Sequence, residues 1–178
     1  MGGQEGGTNP IPDEFIDRAA LVLVTYNGSG PFTVQTLSST NQTEQVLVDT
    51  KGTYNGVEAM DFDGSSPAAA VQVIDPAGGP WTVTFADPNN APTFSGEMSG
   101  QGDAVLDYGG APGTADITGA ASAAFDFRVI EYTMLGSSGT YLADAYGPFS
   151  GTHSVDGTAW LVIHCDGRWT ISVKAGTG

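Results

Sequence analysis

Two histidines, one cysteine and twenty carboxylates are the side chains here that could carry acid–base, nucleophilic or metal chemistry. His153 and His164 are the only imidazoles, and no Gly-x-Ser-x-Gly elbow presents a serine to either. A Ser–His–Asp group would have to assemble in space without a local signature. Cys165 lies in a strand-like run and reads as a small buried hydrophobe rather than a nucleophile. His164 and Cys165 are adjacent, so on a strand they face opposite ways and do not chelate one ion together. Asp61-x-Asp63-Gly64 opens like a calcium loop but lacks the later ligands and the closing glutamate. It reads better as a turn whose aspartates bond the backbone. Neither lysine follows a glycine-rich phosphate loop. Nothing marks two of the carboxylates as an acid–base pair. Asn27-Gly28-Ser29 and Asn41-Gln42-Thr43 match glycosylation sequons, which matter only on a secretory route. The expectation is a protein that is not an enzyme, with no catalytic residues, no metal and no cofactor.

Composition narrows the partners. Five basic residues face twenty acidic ones, for a net charge of -15. Phosphate neutralisation needs clustered Lys and Arg, so nucleic acid is not an expected partner. Anionic membranes are disfavoured in the same way, and no stretch is long and apolar enough to be inserted into a bilayer. The charge favours solubility and repulsion between copies, and leaves attraction to a basic partner open. The hydrophobic fraction of 40% is enough for a core. One cysteine permits no internal disulfide.

The elements are short strands between Gly/Pro turns, in a chain with 26 glycines and 10 prolines. Two strands stand out, Gly79-Pro80-Trp81-Thr82-Val83-Thr84-Phe85 and Gly167-Arg168-Trp169-Thr170-Ile171-Ser172-Val173. Each leaves a turn at glycine and alternates apolar with mostly hydroxylic residues, the pattern of a half-buried strand. Trp81, Val83 and Phe85 should point inward, with Thr82 and Thr84 on the wet face. Further strands are expected at 20–26, 32–37, 46–48, 57–62 and 69–74. The second half adds 104–108, 115–118, 124–131, 140–143, 151–155, 158–164 and 168–174. Residues 1–19 should be an extended N-terminal arm: Gly-rich, Pro-punctuated, without a core of its own over 1–12, then a helical turn capped by Asp13. Residues 20–87 form a first β-sandwich-like domain and 104–178 a second. Residues 88–103 are a linker or an added edge strand.

The halves repeat each other. Phe32-x-Val34 matches Phe127-x-Val129, Leu47-x-Asp49 matches Leu142-x-Asp144, and Gly52-x-Tyr54-x-Gly56 matches Gly147-x-Phe149-x-Gly151, all in one ungapped register. Asp63-Gly64 then matches Asp156-Gly157, Val71-x-Val73 matches Leu161-x-Ile163, and the tryptophan strands match last. Order with gaps only at turns points to duplication. The fold expected is all-β: two tandem sandwich-like domains, Ig-like or jelly-roll-like, behind an arm.

This pattern of Phe-x-Val, Leu-Val, Gly-x-Tyr-x-Gly and Gly-x-Trp-Thr-Val, here at Phe32 to Val34, Leu47-Val48, Gly52 to Gly56 and Gly79 to Val83, resembles uncharacterised β-rich tandem repeats of actinobacterial surface proteins. The resemblance covers most of both halves. It implies surface display and no catalytic residues.

The N-terminal residues lack a basic region followed by an apolar one, so they do not read as a signal peptide. An exposed-type composition without an export signal suggests a phage virion protein, made in the host cytoplasm and displayed on the virion surface as a capsid decoration or tail-associated protein. Pro10, Ile11, Pro12 and Phe15 of the arm would then bind neighbouring capsid or tail proteins. Trp160 and Val162 alternate with the core positions Leu161 and Ile163, so they should face outward as a second interface patch or be buried between the two domains. The alternative is a secreted, extracellular carbohydrate-binding or adhesion module, in which Tyr54 and Phe149 stack on a host-surface glycan; packing of these rings against their own sheets is the competing reading. A homo-oligomer stays open.

Overall fold

A computed structural model describes residues 1–176. They form two units, 1–90 and 91–176, each an all-β sandwich of two mainly antiparallel sheets. The first unit holds β1 (Gly2–Gly3), β2 (Gly7–Pro10), β3 (Ala20–Tyr26), β4 (Pro31–Leu37), β5 (Thr43–Lys51), β6 (Tyr54–Met60), β7 (Ala70–Ile74) and β8 (Trp81–Ala86). One sheet has the order β1-β8-β3-β6, the other β2-β7-β4-β5. Apolar residues alternate along the strands, so Val22, Val24, Val83 and Trp81 of one sheet meet Phe32, Val34, Val71 and Val73 of the other in one core. As the alternation requires, Thr82 and Thr84 are exposed.

The second unit holds β9 (Thr93–Phe94), β10 (Glu97–Gln101), β11 (Ala104–Tyr108), β12 (Gly113–Gly119), β13 (Asp126–Tyr132), β14 (Thr140–Tyr146), β15 (Phe149–Val155), β16 (Ala159–His164) and β17 (Arg168–Ala175). Its sheets run β10-β17-β12-β15 and β14-β13-β16-β11-β9. Strand for strand this is the order of the first unit, with β9 added in parallel to β11. Phe127, Val129, Leu142, Leu161, Ile163, Trp169 and Ile171 fill its core at the positions matched in sequence. The repeated glycines also do the same work. Gly52 and Gly147 close the β5–β6 and β14–β15 turns at φ 95° and 82°, and Gly64 and Gly157 sit at 70° and 107°.

The expectations for the arm, for the start of β6 and for the helical cap are corrected. Residues 1–12 are not an arm without a core. Gly2–Gly3 pair with β8, Gly7–Pro10 pair with β7, and Ile11 is buried at 1% exposure inside the first core. The main chain supplies the ladder bonds, which is why a segment so poor in apolar side chains still docks. For residues 93–101 the edge-strand alternative holds, since they supply two edge strands of the second unit, β9 and β10. The strand expected at 57–62 starts earlier, at Tyr54, because Gly52 at positive φ brings the chain through the turn. The helical turn is a single 3₁₀ turn, Asp13–Phe15, whose N-cap is Pro12 without a side-chain cap.

The tryptophans explain why these first strands belong. The chain crosses from one sheet to the other between β1 and β2, and again between β10 and β11. Trp81 Nε1 donates to the Glu5 carbonyl of the first crossing at 3.2 Å, and Trp169 Nε1 to the Gly102 carbonyl of the second at 2.8 Å. A buried indole N–H needs an acceptor, and the crossing backbone gives one. Directly across the ladder stand Gly3 and Gly100. A Cβ there would lie 2.9 Å and 2.3 Å from the indole Cζ2. The turn before each tryptophan is tied in matching fashion. Asp75 accepts from the Gly78 and Gly79 amides, and Cys165 Sγ from the Gly167 amide at 3.3 Å.

Gly100→Ala should therefore destabilise the second unit by roughly 1–3 kcal/mol through overpacking against Trp169. Gly96→Ala, whose Cβ meets nothing within 4 Å, should leave it unchanged. Urea unfolding followed by tryptophan fluorescence and circular dichroism checks the contrast; equal stability of the two variants would refute the indole contact.

Candidate functional site

The strongest chemistry at the surface lies on the outer face of β13 and β14. The ladder between these strands shifts register between Val129 and Ile130. Val129 faces Ala143 and Ile130 faces Tyr141, so Leu142 is the extra residue of a β-bulge. Leu142 and Ala143 are consequently both buried, and strict alternation is broken. The bulge places Tyr141 on the same face as Asp144 and Tyr146. Tyr141 is 54% exposed and Tyr146 is 77% exposed. Opposite them in register, Arg128 pairs with Asp144 and Asp126 with Tyr146. Arg128 forms a close ion pair with Asp126, and its Nε lies 3.6 Å from Asp144 Oδ1. Two open rings thus flank a carboxylate–guanidinium–carboxylate group on rigid strands.

The first unit has the same bulge, with its shift between Val34 and Gln35 and with Leu47 and Val48 both buried. The matching outer positions carry Val46, Asp49, Lys51 and Thr33 instead. The frame is repeated, whereas the aromatic and guanidinium chemistry is confined to the second unit. Sequence reading missed Tyr141 and Tyr146, because Tyr141 and Asp144 have opposite parity in a regular strand. The available signal was the double apolar step, Leu47-Val48 against Leu142-Ala143.

The residues singled out from sequence fall elsewhere. Ile11 is in the first core, Pro10 pairs with Ala70, and Pro12 precedes the 3₁₀ turn. Phe15 stacks on Phe85 with ring centroids 6.0 Å apart. None of the four extends from the fold as a free arm. Val162 is buried at 4% exposure and Trp160 is half-buried, so they do not form an open patch. Tyr54 is half-buried against the first core and donates its hydroxyl to Glu58 at 2.7 Å. Phe149 packs on Phe127 at 5.6 Å and lies 6.0 Å from His153. Both rings serve packing, and they are not brought together with the β13–β14 face.

Asp61, Asp103 and Glu131 hold loops through their carboxylates. Asp61 and Asp63 accept from the Ser66 and Ser65 amides, the turn role read from sequence. Burial pushes the Asp61 carboxyl up, opposed by the Ser66 bond, and Asp63, Asp17 and Glu44 add like charge. Glu131 is raised chiefly by burial while accepting from the Asp156 amide at 2.9 Å. Asp103 Oδ1 accepts from the Cys165 amide at 2.8 Å and lies 3.7 Å from His164 Nδ1. Burial lowers the His164 imidazole and raises the Cys165 thiol, so near neutrality the thiol is protonated rather than a nucleophilic thiolate. On the opposite sheet of this unit Lys174 and Thr152 bond Asp116, holding its carboxyl below the usual range. Among the described residues no helix is long and apolar enough to cross a membrane.

Compared with known proteins, the chain matches no protein-family model and no curated protein sequence.

The raised carboxyl at Glu131 has a consequence for pH. The folded state holds that proton more tightly than the unfolded chain, so stability falls as pH rises from the ordinary glutamate value through the raised one. Glu131→Gln keeps an oxygen acceptor for the Asp156 amide and removes the charge. Its Tm should exceed that of the parent at pH 7, and the gap should close as pH drops toward 4. Thermal unfolding across that range tests this; a Gln variant less stable at pH 7 would contradict it.

Proposed function

We propose that this chain is a non-enzymatic structural or interaction protein exposed on a particle surface, in its most specific form a phage virion protein that decorates a capsid or sits on a tail. The observation that carries this reading is the duplicated scaffold. Both units repeat one strand order, one bulge, one tryptophan clamp and one pair of turn glycines. Two copies of one stiff frame, presenting different outer faces, suit display and contact with neighbours. The buried Asp61, Asp75 and Glu131 and the Cys165 thiol support a non-enzymatic role, since these four are bonded to turn or loop amides. The charge of -15 keeps displayed copies apart and soluble. Contact with other capsid or tail proteins then runs through sheet edges and outer faces, because residues 1–11 are engaged in their own sheets.

A second reading, a carbohydrate-binding or adhesion module, is favoured by one observation: Tyr141 and Tyr146 stand exposed beside Asp126, Arg128 and Asp144.

Mass spectrometry and cryo-imaging of purified particles from the producing culture test the primary reading. It expects stoichiometric copies on the particle. Protein found free, and absent from particles, would overturn it.

A further inference from the structure

We propose that the outer face of β13–β14 binds a neutral, extended oligosaccharide, with Tyr141 and Tyr146 each stacking on a sugar ring and with Arg128 and Asp144 between them, and Asp126 across from Tyr146, bonding hydroxyls. The site rests on the carbohydrate-binding reading, and it is compatible with display on a particle.

The geometry argues for a chain of sugars. Tyr141 and Tyr146 are five residues apart, and the bulge takes up one step. Four regular steps at about 3.3 Å place the rings roughly 13 Å apart along the strand. That span suits two rings of an oligomer lying along β14 rather than one ring sandwiched by both. The strands fix where each ring is attached, so no backbone ordering is needed on binding. Sugars offer apolar C–H faces to aromatic rings and hydroxyl edges to carboxylates and guanidinium. The face presents those groups in that alternation: ring, charged group, ring.

The electrostatics select a neutral ligand. Two carboxylates and one guanidinium leave the site with one net negative charge, within a chain of -15. Sialylated or uronic chains would meet repulsion. The ion pairs are partly exposed, with Arg128 at 40% and Asp144 at 58%, so oxygens and N–H groups still face outward. A protein partner is less well matched, because the two rings are separated by the charged group. They do not form the central desolvated anchor that protein interfaces use.

The test uses the full chain on an array of printed neutral and sialylated oligosaccharides, followed by titration calorimetry with the best neutral binder. Tyr146→Ala and Tyr141→Ala should each weaken binding by roughly three- to tenfold. Both side chains are largely exposed, so thermal stability should hold. Val46→Ala, at the matching bulge position of the first unit, should change nothing. Retention of a neutral oligosaccharide with these losses supports the proposal. Retention that the tyrosine variants do not alter overturns the platform and leaves the carbohydrate reading standing elsewhere on the chain. No retained oligosaccharide overturns both. Preference for sialylated chains overturns the charge argument and with it the site.

Discussion

An indole N–H that must find an acceptor sets the architecture of each unit. Trp81 and Trp169 are among the largest residues of their cores, and both are close to fully buried. Their nitrogens cannot remain unsatisfied there. In both units the acceptor is a carbonyl of the segment that passes from one sheet to the other. That bond fixes where the crossing runs. The crossing in turn fixes which strands complete the two sheets. Gly3 and Gly100 are part of the same constraint, because only a residue without Cβ can face the indole at that distance. The turn ahead of each tryptophan, held by Asp75 in one unit and Cys165 in the other, sets the position at which the ring enters the core. Two chemically different side chains perform one task here, accepting from the amide that precedes the strand.

The bulges are the second repeated device, and they separate scaffold from surface. A regular β14 would send Tyr141 and Asp144 to opposite faces. One extra residue puts them together with Tyr146 and leaves the core side filled by Leu142 and Ala143. The first unit uses the same irregularity to present an aliphatic, an acid and a lysine. The two units therefore share backbone and core and differ in their outer residues.

Much of the fold was legible because alternation is a strong signal where one face of a sheet is buried. The tryptophan strands, the Phe-x-Val strands, the paired turn glycines and the all-β class followed from it. The first strands were not legible. Gly2, Gly3 and Gly7 to Pro10 carry almost no apolar side chain, and their attachment is through backbone bonds that composition does not report. A signal was nevertheless present: Met1-x-Gly3-Gln4 matches Met98-x-Gly100-Gln101, and both stretches pair with a tryptophan strand. The candidate site was hidden for a different reason. Its residues share a face only after the bulge, so a period-two reading assigns them to different sides. Tyr54 and Phe149 drew attention as repeated aromatics, and both pack against their own cores.

The central claim is that residues 1–11 are integral strands clamped by Trp81, the counterpart of the segment clamped by Trp169. Hydrogen exchange resolved by nuclear magnetic resonance tests it most directly. The account predicts that the Trp81 indole and the paired amides of residues 7–11 exchange slowly, as slowly as the Trp169 indole and the amides of β10 and β11. Exchange of residues 1–11 and the Trp81 indole at the rates of a free peptide, beside a protected second unit, would contradict it.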